Sequence, residues 1–336
     1  PGYEMAFAGP EDLRPVAILG LSRFGSVKLV VHKEDGNVYA MKRLKKELIY
    51  SADECEHCMN EKPLLVKLQE SPFIVTLTTT FQDARALFFL LEYLPGGTLR
   101  TQIQRNGRLN NTAAQFYCAE IVLALEFIHG HCVMYRDLHP DNVLLDGDGH
   151  VKLVDFNSAK HVVDEKGRFS RTHSHVGTPA YQPPEMIKGS AEGYDLTVDW
   201  WQFGILIFEM LAGYPPFYDP NPLGTCQKII QGTVAFPRYF QQHAVSTVEA
   251  LLHPDPSKRL GKPELVQLRA GSPVRRSKWL RTMDWVALAA KQGPPPPFIP
   301  QLASDVDTSL FDEYPESTGH SEVKMSMHAR DMFKHF

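Results

Sequence analysis

The sequence predicts an α+β protein with two lobes, a small β-rich lobe followed by a larger α-helical one. Strand-like apolar runs alternate with turns through residue 94. A Pro-Gly-Gly sequence at 95–97 interrupts this pattern, and from Leu99 onward the periodicity is mostly helical. The length of 336 residues fits two such units, because domains average about 150 residues. We expect an N-terminal extension at 1–15, the first lobe at 16–94, the second at 95–285 and a C-terminal tail at 286–336.

The first lobe carries the signals of five strands and one helix. Residues 16–31 (VAILGLSRFGSVKLVV) form two apolar runs around a glycine-containing turn, a pattern typical of a hairpin. A third strand is predicted at 37–42, after an Asp-Gly-Asn turn, and residues 51–69 have helical periodicity. Two more strands are expected around 74–81 and 87–92, before the Pro-Gly-Gly break.

The second lobe contains the most apolar stretch of the chain, residues 200–213, which is predicted to be a buried helix. Gln202 and Glu209 interrupt it, and no run approaches the roughly 18 apolar residues that a membrane span needs. We therefore expect no membrane-spanning segment. After Lys291 the chain passes through Gly-Pro-Pro-Pro-Pro into a polar stretch with scattered aromatic residues, which is expected to lie on the globule as a tail.

The composition narrows the classes of function and location. Lys and Arg total 35 against 39 Asp and Glu, so the net charge of −4 argues against a nucleic-acid binder that relies on general basicity. The five cysteines are odd in number and thinly spread, which indicates a reducing compartment. We expect a cytoplasmic location, with the nucleus as a further one. Cys55 and Cys58 form a C-x-x-C pair, but no second pair exists for zinc, so both are predicted to be helix residues.

Six short motifs follow one another along the chain. They are Gly20-x-x-x-x-Gly25-x-Val27, Ala40-Met41-Lys42 on a strand, Glu61 on the next helix, Tyr135-Arg136-Asp137 with Asn142, Asp155-Phe156-Asn157, and Pro183-Pro184-Glu185. Taken alone, the glycine motif is weak, since an ordinary hairpin turn explains it about as well. The order and spacing of all six, however, resemble the eukaryotic protein kinase signature, from about Leu19 to the C-terminus.

The resemblance implies the bilobal kinase fold, ATP and Mg²⁺ as cofactors, and phosphoryl transfer to Ser or Thr of protein substrates. It implies that Lys42 pairs with the α- and β-phosphates of ATP and is held in place by Glu61. Asn142 and Asp155 would supply hard oxygen ligands, which Mg²⁺ prefers. Asp137 would orient the substrate hydroxyl or accept its proton.

The resemblance also implies a set of nucleotide-binding residues around the cleft between the lobes. They are Leu19, Gly20, Ser22, Phe24, Gly25, Val27, Ala40, Lys42, Glu92, Leu94, Asp141, Leu144 and Phe311. The backbone from Glu92 to Leu94 would bind the edge of the adenine. For the apolar residues, and above all for Leu144, ordinary core packing is an alternative explanation. A further set would stack as a spine that joins the lobes: Leu65, Leu77, Tyr135 and Phe156.

Other motifs resemble the AGC group of protein kinases, and within it the cAMP-dependent protein kinases. These motifs are Val198-Asp199-Trp-Trp, Gly213-Tyr-Pro-Pro-Phe217, Lys258-Arg259-Leu-Gly, Pro297-Phe-Ile-Pro, Phe311-Asp-Glu-Tyr314 and the final Phe333-x-x-Phe336. In that family the last two Phe side chains dock on the small lobe. The segment from Phe311 to Tyr314 lies beside the nucleotide.

Ser174 lies in the segment that the resemblance identifies as the activation segment. His57, Arg136 and Lys160 fall where this family binds an activation-loop phosphate, and three bases around one anion would order the segment. The alternative is that each is a solvated surface charge. The resemblance thus implies two partners, an upstream kinase that phosphorylates Ser174 and a regulatory subunit. Because His173 replaces an aromatic residue that the family's regulatory subunit uses, control by cAMP is not carried over.

Four residues depart from the family pattern near the phosphates. His139 replaces a lysine that contacts the γ-phosphate. Near its reference pKa of about 6.5 it would be only partly charged at pH 7, so activity is expected to rise as the pH falls from 8 toward 6.5. Asn157 replaces a glycine but tolerates positive φ better than most residues, and Ser22 replaces a glycine of the nucleotide loop. Pro63 is expected to kink its helix and to disturb the pairing of Glu61.

Two further changes concern the substrate. Thr98 and Ala180 fall where cAMP-dependent kinases carry acidic residues for arginine-rich substrates, and only Asp141 and Glu209 of that set remain. We therefore expect a weakened preference for basic substrates.

The departures leave two principal functions open, a slow Ser/Thr kinase and a pseudokinase that binds nucleotide or partners as a scaffold. The slow kinase is favoured because the metal ligands and the base are present. A third hypothesis is a protein that folds but has little activity.

Overall fold

The computed structural model describes residues 9–49, 52–163, 170–261 and 271–315, together with residues 333 and 336. The first lobe is an antiparallel sheet of five strands, in the order β1-β2-β3-β5-β4, with one long helix. Its elements are β1 (Leu13–Ser22), β2 (Gly25–His32), β3 (Val38–Lys45), α1 (Ala52–Leu68), β4 (Leu77–Gln82) and β5 (Ala86–Glu92).

The second lobe is mainly helical and contains two short antiparallel strand pairs. Its helices are α2 (Leu99–Asn106), α3 (Asn111–Gly130), α4 (Pro184–Lys188), α5 (Thr197–Ala212), α6 (Pro222–Gln231), α7 (Gln242–Leu251) and α8 (Trp285–Ala289). The short strands are β6 (Val133–Met134), β7 (Val143–Leu145), β8 (Val151–Leu153) and β9 (Lys160–His161). Strand β6 pairs with β9, and β7 pairs with β8.

The fold class predicted from the sequence is confirmed. Residues 16–31 lie in the β1–β2 hairpin, which closes through the pair Ser22 and Gly25, and the predicted helix at 51–69 is α1. The apolar stretch that begins at residue 200 lies in α5, every residue of which is buried. Strand β1 begins at Leu13, ahead of the expected boundary at residue 16. None of the described helices combines the length and apolarity that crossing a membrane requires.

Helix α2 begins directly after the Pro-Gly-Gly break because its first turn is capped. The Thr98 side chain accepts a hydrogen bond from the Thr101 N–H at 3.1 Å, which satisfies one of the free donors at the helix start. Gly107 ends the helix at a φ of 70°, a conformation that glycine adopts without a steric penalty. These two signals fix the position of Arg100, which lies in the first turn.

The apolar core is continuous from the first lobe into the second. One cluster contains Leu65 of α1 together with Tyr135 and Phe156 of the second lobe, and Leu77 packs against it. The Tyr135 and Phe156 rings meet edge to face, with centroids 5.1 Å apart. The four residues expected to form a spine therefore lie in one core, which holds the lobes on either side of a cleft.

The end of the tail docks on the first lobe, as the resemblance implies. Phe333 is fully buried, and Gln82 of β4 donates a hydrogen bond to its carbonyl oxygen at 3.0 Å. The Phe336 ring meets the edge of Phe89 with centroids 5.1 Å apart, and the Lys62 ammonium lies 5.3 Å from the Phe336 centroid. Part of the predicted tail, residues 316–332, lies outside the described residues.

Candidate active site

A cavity of about 500 Å³ between the lobes brings together most of the predicted nucleotide-binding residues. Those that line it are Leu19, Gly20, Ser22, Val27, Ala40, Lys42, Glu92, Leu94, Asp141, Leu144 and Phe311. Tyr93, which follows β5, and Leu310 and Tyr314 from the tail also line the cavity, and the Tyr93 and Phe311 rings stack. The volume lies within the range of about 300–1,000 Å³ that is usual for small-molecule sites.

Phe24 and Gly25 are the two predicted nucleotide-binding residues that do not line this cavity. Phe24 lines a second cavity of about 830 Å³. Gly25 lies where β2 approaches β3, and a Cβ atom there would fall 1.8 Å from the Arg43 carbonyl oxygen. Glycine is therefore required at this position by the packing of the two strands.

Lys42 of β3 points into the cavity and is held by two carboxylates. Its Nζ lies 2.8 Å from both carboxylate oxygens of Glu61 and 2.9 Å from Oδ1 of Asp155. Burial disfavours the charged ammonium, but the carboxylates of Asp155 and Glu61 outweigh it and hold the pKa of Lys42 above its usual value. The side chain is therefore a fixed cation on the wall of the cavity.

The disturbance expected from Pro63 does not occur. Helix α1 runs without interruption through Pro63, and Glu61 reaches Lys42. Proline removes the N–H that would bond the carbonyl of Met59, but this loses one hydrogen bond and leaves the turn that carries Glu61 in place. Glu61 also accepts a hydrogen bond from the Phe156 N–H at 3.3 Å, which ties the helix to the second lobe.

Asp137 lies between β6 and β7 and is fixed on several sides. Thr178 donates both its N–H and its hydroxyl to Oδ1 of Asp137, each at 2.8 Å. The Asn142 amide donates to the Asp137 carbonyl oxygen at 2.9 Å. The buried carboxylate of Asp199 accepts the Arg136 N–H at 2.7 Å and so anchors the backbone before Asp137. No local sequence pattern predicts this contact of Thr178, because Thr178 and Asp137 are 41 residues apart.

His139 lies between two carboxylates. Its Nε2 is 3.7 Å from Oδ1 of Asp137, and its Nδ1 is 3.2 Å from Oδ2 of Asp141. Burial disfavours the imidazolium, but its interactions with the carboxylates of Asp137 and Asp141 outweigh it and raise the pKa of His139 to about 9. The expectation that His139 is only partly charged at pH 7 is therefore wrong, and the expected rise in activity between pH 8 and 6.5 loses its basis.

The pKa values of Asp137 and Asp141, the two acidic residues beside His139, are lowered. Burial alone would raise the pKa of each carboxyl group. The contacts with His139 and Thr178 outweigh it at Asp137 and leave that pKa below its usual value. At Asp141, His139 and Arg100 together lower the pKa to about 2. Both carboxylates are therefore charged at neutral pH.

Asn142 and Asp155, the two residues predicted to bind Mg²⁺, each have a side-chain oxygen available as a ligand. Asn142 uses its amide nitrogen to contact Asp137, which leaves its Oδ1 as an acceptor. The contacts of Asp155 with Lys42 and Asn157 both use Oδ1, which leaves Oδ2. These two hard oxygens fit Mg²⁺, which proteins bind through one or two side chains together with substrate phosphates and water. Within the described ranges, no group of three or more His, Cys, Asp and Glu residues could hold a metal by itself.

Asn157 does not adopt the positive φ that its replacement of a glycine suggests. The positive φ of 55° falls on Asp155, two residues earlier. The Asn157 N–H lies 3.4 Å from Oδ1 of Asp155, and its own Oδ1 is buried with no hydrogen-bond partner among the described residues. The asparagine thus fits the backbone but places one unsatisfied polar atom in the interior.

Of the predicted regulatory residues, Arg136 contacts Ser174, and His57 and Lys160 line a cavity together with it. Arg136 donates through Nη1 to the Ser174 hydroxyl at 2.6 Å and to the Tyr194 hydroxyl at 2.9 Å. Its Nη2 is buried and has no partner in the part of the chain that is described. His57 and Lys160 line the second cavity together with Ser174. A buried guanidinium nitrogen with a free donor beside a hydroxyl is suited to a phosphate on that hydroxyl.

Arg100 is a site residue that the sequence did not reveal. Its Nε and Nη2 donate to Oδ2 of Asp141 at 3.2 and 3.1 Å, and its Nη1 donates to Glu209. The two acidic residues that remain from the expected substrate-binding set are therefore ion-paired within the chain. The partners are separated by 41 and 109 residues, so no local pattern could indicate these contacts.

Comparison with known proteins gives consistent results. Residues 13–269 match the family model described as "Protein kinase domain". The chain is 39% identical over 326 residues to the cAMP-dependent protein kinase catalytic subunit PRKX of Homo sapiens, covering 97% of this chain and 87% of that protein. It is 37% identical over 337 residues to the RAC family serine/threonine-protein kinase homolog of Dictyostelium discoideum, covering 98% and 72%. The cAMP-dependent protein kinase catalytic subunit of Dictyostelium discoideum is 40% identical over 307 residues, covering 91% of this chain and 45% of that protein.

Proposed function

The chain belongs to the protein kinase family, and we propose that it transfers the terminal phosphoryl group of ATP to serine and threonine hydroxyls of proteins. One observation carries this proposal. Lys42, Asp155 and Asn142 line one cavity, and Asn142 is bonded in turn to Asp137. A cation for the phosphates, oxygens for a metal and a carboxylate for the acceptor hydroxyl are the parts that phosphoryl transfer needs.

Each of these residues has a defined task in the proposed reaction. Lys42, fixed by Glu61, binds the α- and β-phosphates as a permanent cation. Asp155 and Asn142 hold Mg²⁺, which neutralises the phosphate charge when it is bound. Asp137 is ionised at neutral pH, so it accepts a hydrogen bond from the substrate hydroxyl and directs that oxygen toward the phosphate.

We expect this kinase to be slow. Both ring nitrogens of His139 face carboxylates, so its positive charge lies beside Asp137 and Asp141. A lysine side chain at this position would reach farther toward the phosphates. Ser22 adds a side chain where close approach of the backbone to phosphate is needed.

A pseudokinase is the second candidate, and one observation favours it. Lys42 is bonded to Asp155 as well as to Glu61, so the cation and a metal ligand already neutralise each other.

The decisive experiment measures transfer of labelled phosphate from ATP to a serine peptide, with Asp137→Asn as the inactive control. We expect slow transfer by the wild type that requires Mg²⁺ or Mn²⁺ and is abolished in the variant. A melting assay provides a second readout, because a ligand at a hundred times its Kd stabilises the folded state by about 2.7 kcal/mol. Stabilisation by ATP and Mg²⁺ without any transfer would establish the pseudokinase. If neither transfer nor stabilisation occurs, the kinase and the nucleotide-binding pseudokinase both fail, which leaves a scaffold that binds partners without nucleotide.

A further inference from the structure

Two carboxylates beside the reaction centre are bound by a cation of the chain itself. Arg100 donates to Asp141 through Nε and Nη2 and to Glu209 through Nη1. Its Nη2 also donates to the Tyr181 hydroxyl at 3.1 Å, and this hydroxyl donates to the other carboxylate oxygen of Glu209. The guanidinium thus engages both acids and the phenol that is bonded to Glu209.

This cluster lies close to the point where an acceptor hydroxyl would be held. The His139 ring faces Asp141 on one side and Asp137 on the other, so one imidazole separates the cluster from the proposed acceptor site. An extended peptide rises about 3.3 Å per residue, so a side chain two or three positions from its acceptor hydroxyl can reach the cluster. The Asp141 side chain is 50% exposed, which leaves the cluster accessible from solvent.

The charge of the cluster depends on Arg100. Without it, Asp141 and Glu209 would present two carboxylates to the substrate, and a guanidinium is the group that binds such a pair best. With it, both acids are already paired, and Glu209 is 1% exposed. A substrate arginine would have to displace the Arg100 side chain, which loses no translational freedom when it binds because it belongs to the same chain. The displaced guanidinium would then have no ion-pair partner.

We propose that Arg100 occupies, from within the chain, the place that a basic substrate side chain would take, and that it directs the enzyme to serines and threonines without a basic residue at that place. This inference rests on the proposed kinase function and deepens it. The weakened preference for basic substrates then has two causes, the neutral Thr98 and Ala180 and the occupation of the remaining acids. The second cause is reversible, because removal of Arg100 uncovers a site for arginine.

A peptide series tests the proposal. Each peptide carries one serine in an alanine background, with a single arginine at one of the positions on either side. The readout is kcat/KM for each arginine peptide relative to the peptide without arginine. For the wild type we expect ratios close to one at every position. For Arg100→Ala we expect the ratio at one position to rise by about tenfold or more, the effect of a charge-assisted hydrogen bond.

Three further variants sharpen the test. Arg105→Ala removes a cation from the same helix, where it bonds the Ser309 carbonyl oxygen and not the acids, and should leave every ratio unchanged. Arg100→Lys keeps a cation in place and should gain no arginine preference. Arg100→Ala combined with Glu209→Gln should lose most of the gain. If Arg100→Ala does not fold, Arg100→Gln replaces it, because its amide can still donate to one carboxylate.

Two outcomes would overturn the inference. One is a folded Arg100→Ala protein whose ratios remain flat, and the other is a wild type that already prefers an arginine and loses this preference in Asp141→Asn. Binding of fluorescent peptides, measured without ATP, separates this inference from the proposed function. Tighter binding of an arginine peptide to Arg100→Ala without any phosphoryl transfer would refute the kinase and keep the subsite. Transfer without any gain would refute the subsite and keep the kinase.

Discussion

The imidazole of His139 lies between Asp137 and Asp141, and this position keeps it protonated at neutral pH. A lysine at the same place would also be charged at pH 7, so the two residues differ there mainly in reach. The imidazole is short and has a carboxylate at each nitrogen. A lysine has a flexible four-carbon stem and three donors on one atom, so it can contact a carboxylate and a phosphate together.

His139→Lys should raise kcat by about tenfold, which is less than the roughly 10²–10³-fold cost of losing a transition-state stabiliser outright, since the charge is already present. The pH profile provides the sharper measurement. Wild-type kcat should be flat between pH 6.5 and 8 and should fall above about pH 9, as His139 loses its proton. In the variant this fall should move toward the lysine pKa of about 10.4. A wild-type kcat that rises from pH 8 to 6.5, beside a flat variant, would contradict the carboxylate pairing.

The same pairing makes folding stability depend on pH. The pKa of His139 is about 9 in the folded protein and near 6.5 in the unfolded chain. Its contribution to the unfolding free energy is therefore complete below about pH 6.5 and is lost as the pH rises through 9, with a size of about 3 kcal/mol. Denaturant unfolding of the wild type and of His139→Gln should show a gap that shrinks from pH 6.5 to 9.5. A gap that is constant with pH would count against a charged His139.

At the scale of elements, helix α1 carries both Glu61 and a proline without losing the ion pair. A proline inside a helix costs about 3 kcal/mol relative to alanine, and here the buried Lys42–Glu61 contact and the packing of the helix outweigh this cost. Pro63→Ala should therefore raise the unfolding free energy by about 1–3 kcal/mol and leave kcat nearly unchanged. Val66→Ala, at an exposed position of the same helix, is the control and should change stability little. A large increase in kcat would show that the proline does limit the ion pair.

The activation segment around Ser174 is the second element with a testable state. A phosphate on Ser174 would meet Arg136, whose Nη2 has a free donor, with His57 and Lys160 on the same cavity wall. Phosphorylated protein should show a kcat/KM about tenfold or more above that of phosphatase-treated protein, the effect of one charge-assisted hydrogen bond. Ser174→Ala should match the treated form.

Limited proteolysis across residues 170–178 gives an independent readout of this effect. We expect phosphorylation of Ser174 to protect these residues, and Arg136→Lys, which keeps the charge but loses the planar fork, to weaken the protection. His173→Ala is the control, because its ring belongs to the same segment but bonds the Ala191 carbonyl oxygen and not the Arg136–Ser174 pair. Full activity and full protection in unphosphorylated protein would exclude this form of regulation.

For the molecule as a whole, the end of the tail stabilises the first lobe. Phe333 is fully buried against it, and Gln82 bonds its backbone. Phe333→Ala should lower the unfolding free energy by about 3–5 kcal/mol, the usual cost of removing a buried phenylalanine ring. Val286→Ala, which alters an 82% exposed side chain, is the matched control and should leave Tm unchanged. Equal Tm values for both variants would mean that the docked tail contributes nothing to stability.

The architecture was predictable because its signals are local. Alternating apolar residues and turn glycines predict the five strands, the break at 95–97 predicts the boundary between the lobes, and the resemblance of the short motifs to the kinase signature implies the roles of Lys42, Asp137 and Asp155. The charge of His139 was not predictable, since it depends on two carboxylates whose orientation only the folded chain sets. The same holds for Arg100 and Glu209, which are 109 residues apart. The disturbance expected from Pro63 does not occur, because tertiary contacts of the helix outweigh the low helix preference of proline.

The stacking of Tyr93 on Phe311 has a consequence for inhibitor design. The Tyr93 and Phe311 ring centroids are 6.1 Å apart, and Leu310 and Tyr314 lie on the same wall of the cavity. These three tail residues lie beyond residue 269, where the match to the kinase domain ends. Two kinases with identical domain residues in the cleft can therefore present different surfaces to a drug. A compound that fills the adenine region and extends an aromatic group over Phe311 would draw its selectivity from the tail.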